Sequence, residues 1–177
     1  MARTIFITGG ARSGKSLFAE KRALEFGAPL GYLATAQTLD IEMDTRVSRH
    51  RERRGGEWHT IEEPINLSQA LMRSDGQYQA ILVDCLTMWL SNLLFKYEDA
   101  KEEIEERVQG ELEELKSALR KMVTPVVLVS NEVGMGIVPD NALARLFRDI
   151  AGSANQTLAA GADEVHVVIS GIPLRLK

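Results

Sequence analysis

Short apolar runs alternate with helical patterns along most of the chain. Apolar, β-branched runs of about five residues are typical of strands in a parallel sheet that helices cover on both faces. A shorter run at residues 58–61 predicts another strand, and the alternation at 172–176 predicts a final edge strand that returns antiparallel. The pattern predicts a three-layer α/β fold with a mostly parallel central sheet flanked by helices. The main runs lie at residues 4–8, 31–35, 80–83, 126–130 and 165–169.

Apolar residues at spacings of three and four predict amphipathic helices between the strands. The longest such segment covers residues 98–122, with glutamates and lysines at its other positions. Its acidic face is most simply a solvated surface, and a subunit interface is the alternative. A second helix is expected from an N-cap at Asp140 to a C-cap at Gly161, and a third is expected to begin at Asp40. The apolar stripe of the longest helix consists of Ile104, Val108, Leu112, Leu115, Leu119 and Met122.

Residues 9–16 read GGARSGKS and match the phosphate-binding pattern G-x-x-x-x-G-K-[ST]. The pattern follows a predicted strand and opens a predicted helix, a context that separates a phosphate-binding loop from an ordinary glycine-rich turn. In such a loop, backbone N–H groups surround the phosphates, the lysine reaches the β- and γ-phosphates, and the Ser/Thr hydroxyl binds Mg²⁺. We therefore expect a P-loop NTPase-type fold that binds a nucleoside triphosphate through Gly9, Gly10, Ala11, Arg12, Ser13, Gly14, Lys15 and Ser16.

The composition fits one nucleotide-binding domain, residues 1–177, in the cytoplasm. The chain is 45% hydrophobic and 26% charged, which is enough apolar sequence for one sizeable core. No apolar run reaches the ~18 residues that a membrane span needs, and no secretory signal pattern is visible. The net charge of -4 argues against a nucleic acid as partner and favours small-molecule substrates. The single cysteine, Cys85, is expected to be a small buried residue without a chemical role.

Polar residues follow the predicted strands, at the edge where open α/β sheets bind ligands. Asp84 follows four apolar residues, and a carboxylate in that position can face the Mg²⁺ held by Ser16. The alternative for Asp84 is a cap of the next helix. Glu132 lies in a loop with two glycines, residues 131–139, and can orient or deprotonate an attacking hydroxyl. An exposed loop glutamate without a role is the alternative for Glu132.

His50 lies in the helix predicted from Asp40, at the border of its apolar stripe. Arginines surround it at positions 46, 49, 51, 53 and 54, so the segment either binds phosphates or is a solvated basic face. The residue types alone favour the solvated interpretation for His50. Arg145 and Arg148 follow the loop at 131–139 and can likewise contact phosphates or be ordinary surface residues.

Nearly the whole chain resembles one family when its motifs are taken together. Beside the phosphate loop, the sequence NEVGMGIVP at residues 131–139 is highly specific. The motifs resemble those of the bifunctional adenosylcobinamide kinase / adenosylcobinamide-phosphate guanylyltransferase family. The other matching positions are TAQ at 35–37, Asp40, EM at 42–43, Arg46, His50, DCLT at 84–87, NLL at 92–94, FRDIAG at 147–152 and NQ at 155–156.

The resemblance implies two reactions of cobalamin biosynthesis. ATP or GTP phosphorylates the aminopropanol hydroxyl of adenosylcobinamide, and GMP is then transferred from GTP to that phosphate with release of pyrophosphate. The family's second reaction passes through a guanylylated histidine, and His50 is the matching position, which overrides its solvated interpretation. Lys15, Ser16 and Asp84 would serve both reactions with Mg²⁺. Members with glutamate in place of Asp84 exist, and either carboxylate suits that position.

The resemblance also implies a homotrimer that binds a corrinoid substrate. Two alternatives remain open. A small-molecule kinase without nucleotidyl transfer would use the same phosphate loop on another alcohol, with His50 as a surface residue. A nucleotide-dependent switch or motor subunit would need a partner-binding segment, and the acidic balance and the lack of a visible appended domain argue against it.

Overall fold

The computed structural model describes residues 2–36, 55–100 and 103–177. Within these ranges seven strands form one sheet, and their order across the sheet is β3-β2-β4-β5-β1-β6-β7. All neighbouring strands pair in parallel except β6 and β7, which pair antiparallel. The mostly parallel sheet and its antiparallel edge strand are therefore confirmed. The strands are β1 (Thr4–Gly9), β2 (Leu30–Ala34), β3 (Trp58–Glu62), β4 (Ala80–Asp84), β5 (Val126–Val129), β6 (Glu164–Ile169) and β7 (Ile172–Arg175).

The helices of the described ranges cover both faces of the sheet. Every residue of β1 is buried, and its side chains alternate between two cores. Ile5 and Ile7 pack in the core that α1 covers, whereas Phe6 belongs to a larger core shared with the other four helices. The predicted three-layer arrangement follows from this division. The helices are α1 (Lys15–Leu24), α2 (Leu67–Ser74), α3 (Leu86–Lys96), α4 (Ile104–Lys121) and α5 (Ala142–Gly161).

The predicted stripe of the longest helix is buried, but α4 is shorter than predicted. It begins at Ile104 rather than at residue 98, because Glu98 and Ala100 form turns whose N–H groups bond Phe95 and Tyr97. On its outer face, Glu103 pairs with Arg107 and Glu113 with Lys116, at 2.8 Å each. These pairs are the i,i+4 and i,i+3 contacts that stabilise exposed helix faces.

Both predicted caps of α5 are displaced by one residue. The N-cap is Asn141 rather than Asp140, because the Asn141 side chain accepts the Ala144 N–H at 3.1 Å. The C-cap is Ala162 rather than Gly161, and its extended backbone leads the chain directly into β6. The helix predicted from Asp40 lies outside the described residues. Among the described helices, none combines the length and apolarity needed to cross a membrane.

Candidate active site

The phosphate loop lies between the end of β1 and the start of α1, as predicted. Gly9 is required there by close packing, because a Cβ at this position would lie 2.5 Å from the Val168 carbonyl oxygen. Gly14 is the N-cap of α1 and has φ near +93°, a conformation that favours glycine. The loop rests on the turn between β6 and β7, where the Gly171 N–H donates to the Ser13 carbonyl at 2.7 Å.

The Lys15 side chain folds back over the phosphate loop. Its side chain is buried, and its Nζ donates to the Gly10 carbonyl at 3.2 Å. Ser16 is half-buried in the first turn of α1, beside the positive end of the helix dipole. The structure thus brings an ammonium, a hydroxyl and a helix N-terminus together at one loop, and this arrangement suits an anionic phosphate chain.

Asp84 lies at the same edge of the sheet, at the end of β4. We call this the carboxyl edge, where β1, β2, β4 and β5 end. One strand separates β4 from β1, so their ends are about 10 Å apart. The hydroxyl of Tyr32 donates to Asp84 Oδ2 at 3.0 Å. The alternative role of Asp84 as a helix cap is wrong, because the N-cap of α3 is Cys85.

The buried Cys85 thiol lies within the electrostatic influence of both Asp84 and Lys15. Burial raises the pKa of this thiol, the Asp84 charge raises it further, and the Lys15 ammonium lowers it. The thiol is therefore protonated at neutral pH, which agrees with the predicted structural role. The charges of Lys15 and Asp84 therefore both influence this end of β4.

Glu132 is placed beside the phosphate loop by its backbone. Its N–H donates to the Gly9 carbonyl at 3.0 Å, which joins the start of the 131–139 loop to the end of β1. The half-buried side chain accepts the Gly134 N–H at 3.2 Å. The carboxylate is therefore held at the mouth of the candidate site, within the segment that follows β5.

A hydrogen-bond network that the sequence did not predict connects the strand ends of the carboxyl edge. The Thr35 hydroxyl donates to the Cys85 carbonyl at 2.7 Å and accepts the Cys85 N–H at 2.9 Å, which ties β2 to β4. Asn131 Nδ2 donates to the Thr87 hydroxyl at 2.8 Å, which ties the next loop to α3. Asn92, on α3, donates to the Thr35 carbonyl at 2.8 Å. The loops around the site are thus fixed by side-chain bonds.

Asn155 extends this network to α5. The Ser130 hydroxyl donates to Asn155 Oδ1 at 2.6 Å, and Asn155 Nδ2 donates to the Asn131 carbonyl at 3.3 Å. The signal in the sequence was the placement of polar residues directly after buried strands. The sequence did not show which of them bond one another, because every partner is distant along the chain.

The structure describes only some of the other predicted site residues. His50 and its neighbouring arginines lie outside the described residues. Arg12 is exposed, with φ near +56°. Arg145 donates to the carbonyls of Pro139 and Asp140 and holds the end of the 131–139 loop.

Two residues of the carboxyl edge have side chains whose chemistry suits a magnesium ion. Mg²⁺ prefers oxygen ligands and usually takes one or two from the protein, with the rest from phosphates and water. Ser16 and Asp84 supply a hydroxyl and a carboxylate of this kind. Within residues 2–36, 55–100 and 103–177, no group of three or more His, Cys, Asp or Glu residues could hold a metal without such a substrate.

The fold is similar to those of two solved structures with little sequence identity. The flagellar accessory protein FlaH from Methanocaldococcus jannaschii has a TM-score of 0.53 and 13% identity, over 99% of this chain and 78% of that one. The RadB recombinase has a TM-score of 0.51 and 14% identity, over 93% of this chain and 73% of that one. With the phosphate loop between β1 and α1, this similarity confirms the P-loop NTPase-type fold.

Sequence comparison identifies much closer relatives. The bifunctional adenosylcobalamin biosynthesis protein CobU of Escherichia coli (strain K12) is 43% identical over 98% of this chain and 99% of its own length. CobU of Salmonella typhimurium is 46% identical over 98% of this chain and 99% of its own length. CobP of Pseudomonas aeruginosa is 42% identical over 97% of this chain and 95% of its own length. The family model described as cobinamide kinase / cobinamide phosphate guanyltransferase matches residues 5–176. The chain therefore belongs to the cobinamide kinase / cobinamide phosphate guanyltransferase family.

Proposed function

We propose that this chain phosphorylates adenosylcobinamide with ATP or GTP and then transfers GMP from GTP to the product, which gives adenosylcobinamide-GDP and pyrophosphate. The observation that carries the proposal is the phosphate loop with the buried Lys15 over it, in a chain that the family model matches at residues 5–176. The curated relatives are named as bifunctional enzymes of adenosylcobalamin biosynthesis.

In the kinase reaction, the acceptor hydroxyl attacks the γ-phosphorus and the bond to the β-phosphate oxygen breaks. Lys15 and the N–H groups of the phosphate loop hold the β- and γ-phosphates and stabilise the charge on the leaving group. Glu132, held beside Gly9, accepts the proton of the attacking hydroxyl. Ser16 and Asp84 would hold Mg²⁺, which neutralises phosphate charge when bound.

In the transferase reaction, His50 is the nucleophile. Its neutral imidazole attacks the α-phosphorus of GTP, the bond to the pyrophosphate oxygen breaks, and GMP remains on His50 as a phosphoramidate. The phosphate of adenosylcobinamide phosphate then attacks the same phosphorus and releases His50. The sequence resemblance supports this role, and Lys15 with the phosphate loop supplies donors for the departing pyrophosphate.

The same proposal includes one domain over residues 1–177, a homotrimeric assembly and a cytoplasmic location. Ile172 and Leu174 of the edge strand β7 are 71% and 56% exposed, which supports an assembly that covers them. The net charge of -4 supports a small corrinoid substrate rather than a nucleic acid.

Labelling with GTP that carries a radioactive α-phosphate tests the proposal. With Mg²⁺, the wild type should retain acid-labile, alkali-stable label after denaturation, and His50→Ala should retain none. His59→Ala is the matched control, because His59 is an exposed histidine on β3. If every protein stays unlabelled while adenosylcobinamide is phosphorylated, the chain is a kinase only. Nucleotide binding without any corrinoid turnover would favour a switch.

A further inference from the structure

α5 carries two arginines one turn apart, and their guanidinium groups have different surroundings. Nη1 of Arg145 donates to the carbonyls of Pro139 at 2.9 Å and Asp140 at 2.7 Å, so this group is committed to the loop end. Arg148 is half-buried, and its Nη1 is shielded from solvent with no hydrogen-bond acceptor among the described residues. Arg148 therefore has a buried donor that the described part of the fold does not use.

Helical geometry places Arg148 on the side of α5 that faces the carboxyl edge. Asn155 marks this side, because it bonds Ser130 and the Asn131 carbonyl just after β5. Arg148 precedes Asn155 by close to two full turns, so the two side chains share a face and lie about 10 Å apart along the axis. Because α5 runs away from the carboxyl edge towards β6, Arg148 lies farther out over that edge than Asn155.

The surroundings of Arg148 suit a phosphate. A buried donor without an acceptor is costly, and a phosphate oxygen removes the cost through a charge-assisted hydrogen bond. The planar guanidinium can also donate two parallel bonds to one phosphate. The loop that precedes α5 begins beside Gly9, because the Glu132 N–H donates to the Gly9 carbonyl, so the phosphate loop and the start of α5 lie at the same edge of the sheet.

We propose that Arg148 binds a phosphate group of a substrate at the carboxyl edge, outside the phosphate loop. The inference rests on the proposed function, in which a nucleoside triphosphate and a phosphorylated corrinoid meet at this edge. Both molecules carry the phosphate chemistry that a guanidinium recognises, and the two sources predict different losses on substitution.

The test compares Arg148→Met with Arg120→Met. Methionine keeps an apolar stem and removes every donor. Arg120 is exposed in the last turn of α4, next to the segment in which the Met122 carbonyl accepts the Ala2 N–H at the opposite edge of the sheet. The measurements are the Kd for a fluorescent GTP analogue and for inorganic pyrophosphate, the KM for adenosylcobinamide phosphate, and the Tm without ligand.

If the phosphate belongs to the nucleotide, Arg148→Met weakens GTP binding about tenfold, whereas pyrophosphate, held by the phosphate loop, binds as it does to the wild type. If it belongs to the corrinoid, only the KM for adenosylcobinamide phosphate rises, again about tenfold. In both cases the ligand-free Tm stays the same or rises, because the unused buried donor is gone. A merely structural role predicts a lower Tm with unchanged binding. Arg148→Gln provides the same comparison if the methionine variant does not fold.

The inference is overturned if Arg148→Met and Arg148→Gln bind GTP, pyrophosphate and adenosylcobinamide phosphate as Arg120→Met does. Binding of GTP and pyrophosphate needs no corrinoid turnover. A wild type that binds both but never phosphorylates adenosylcobinamide therefore contradicts the proposed function, while the nucleotide measurements still decide whether Arg148 binds the nucleotide.

Discussion

The two edges of the sheet use buried polar groups in different ways. At the amino edge, where β1 and β6 begin, Glu164 is 3% exposed and accepts bonds from Arg22 at 2.9 and 3.2 Å. Arg3 and His166 also contact its carboxylate. At the carboxyl edge, the buried Lys15 ammonium contacts a backbone carbonyl, and Ser13 Oγ and Arg148 Nη1 have no partner among the described residues. At the amino edge the buried Glu164 carboxylate is paired by the chain itself, although Arg22 Nε has no hydrogen-bond partner among the described residues. At the carboxyl edge the buried ammonium has no carboxylate partner among its hydrogen bonds, and the donors left over lie where a ligand can use them.

Under the proposed function, this difference separates an edge that stabilises the fold from an edge that performs the chemistry. Satisfied buried charges contribute to stability only as a set, because removal of one partner leaves the others uncompensated. Unsatisfied donors cost stability in the free protein and favour a bound anion. We therefore expect substitutions at the two edges to separate folding from activity.

The largest effect is expected for Lys15→Met. Loss of the ammonium that stabilises the phosphates should lower kcat/KM of both reactions about 1000-fold, with little change in Tm. Steady-state kinetics and thermal unfolding check this, with Lys121→Met, an exposed lysine at the end of α4, as the control. A Lys15→Met enzyme with wild-type activity would contradict the proposal that the reactions take place at the carboxyl edge.

Glu164→Gln should have the largest effect on stability. It leaves Arg22 without its buried counter-charge and should lower the free energy of unfolding by about 3 kcal/mol. Urea unfolding measures the change, and kcat of the folded fraction should stay at the wild-type value. Glu113→Gln, on the exposed face of α4, is the control and should change stability little. An unchanged urea midpoint for Glu164→Gln would contradict the stabilising role of the amino edge.

Asn155→Ala should affect both properties, because it removes the bonds that join α5 to Ser130 and Asn131. We expect a loss of about 2 kcal/mol in the free energy of unfolding and a roughly tenfold lower kcat, since the loop carrying Glu132 loses its support. Unfolding curves and kinetics check this against Gln156→Ala, an exposed neighbour. Lower stability with normal kcat would assign the network to folding alone.

Tyr32→Phe removes one hydrogen bond from Asp84. If this carboxylate faces Mg²⁺ as proposed, the Mg²⁺ concentration for half-maximal turnover should rise about fivefold, which corresponds to about 1 kcal/mol. Titration of Mg²⁺ at saturating nucleotide measures it. Tyr78→Phe serves as the control, because the Tyr78 ring contacts His59. An unchanged Mg²⁺ requirement would place Asp84 away from the metal.

The smallest effect concerns the pH dependence of stability at the amino edge. Burial lowers the pKa of His166 below its usual 6.5, and the charges of Arg22 and Arg175 lower it further. The folded state therefore binds fewer protons than the unfolded state as pH falls below about 6.5. The contribution of the neutral His166 to the free energy of unfolding should be fully present above this pH and should decrease as pH falls towards the lowered pKa. Urea unfolding across pH 5 to 8 should show this slope, and His166→Gln should reduce it.

The strands and the phosphate loop could be predicted because their signals are local. An apolar run such as residues 80–83 indicates a buried strand without knowledge of its partners, and Lys15 is defined by its place within the GKS motif. The caps of α5 were wrong by one residue each because Asp140 and Asn141 are both good caps, and only the bond to Ala144 distinguishes them.

The network of the carboxyl edge could not be predicted because its bonds join residues that are distant in sequence. Thr35 bonds the backbone of Cys85, and Asn155 bonds Ser130, only after β2, β4, β5 and α5 are packed together. Arg148 was one of two similar helix arginines in the sequence. The structure distinguishes it from Arg145 by the unused donor, which depends on packing rather than on residue type.

The most direct test of this account is product analysis with the purified wild-type chain, adenosylcobinamide, ATP, GTP and Mg²⁺. Mass spectrometry over time should show adenosylcobinamide phosphate first and adenosylcobinamide-GDP afterwards, with release of pyrophosphate. If nucleotide binds at the phosphate loop but neither corrinoid product forms, the assignment of these two reactions to the carboxyl edge is contradicted.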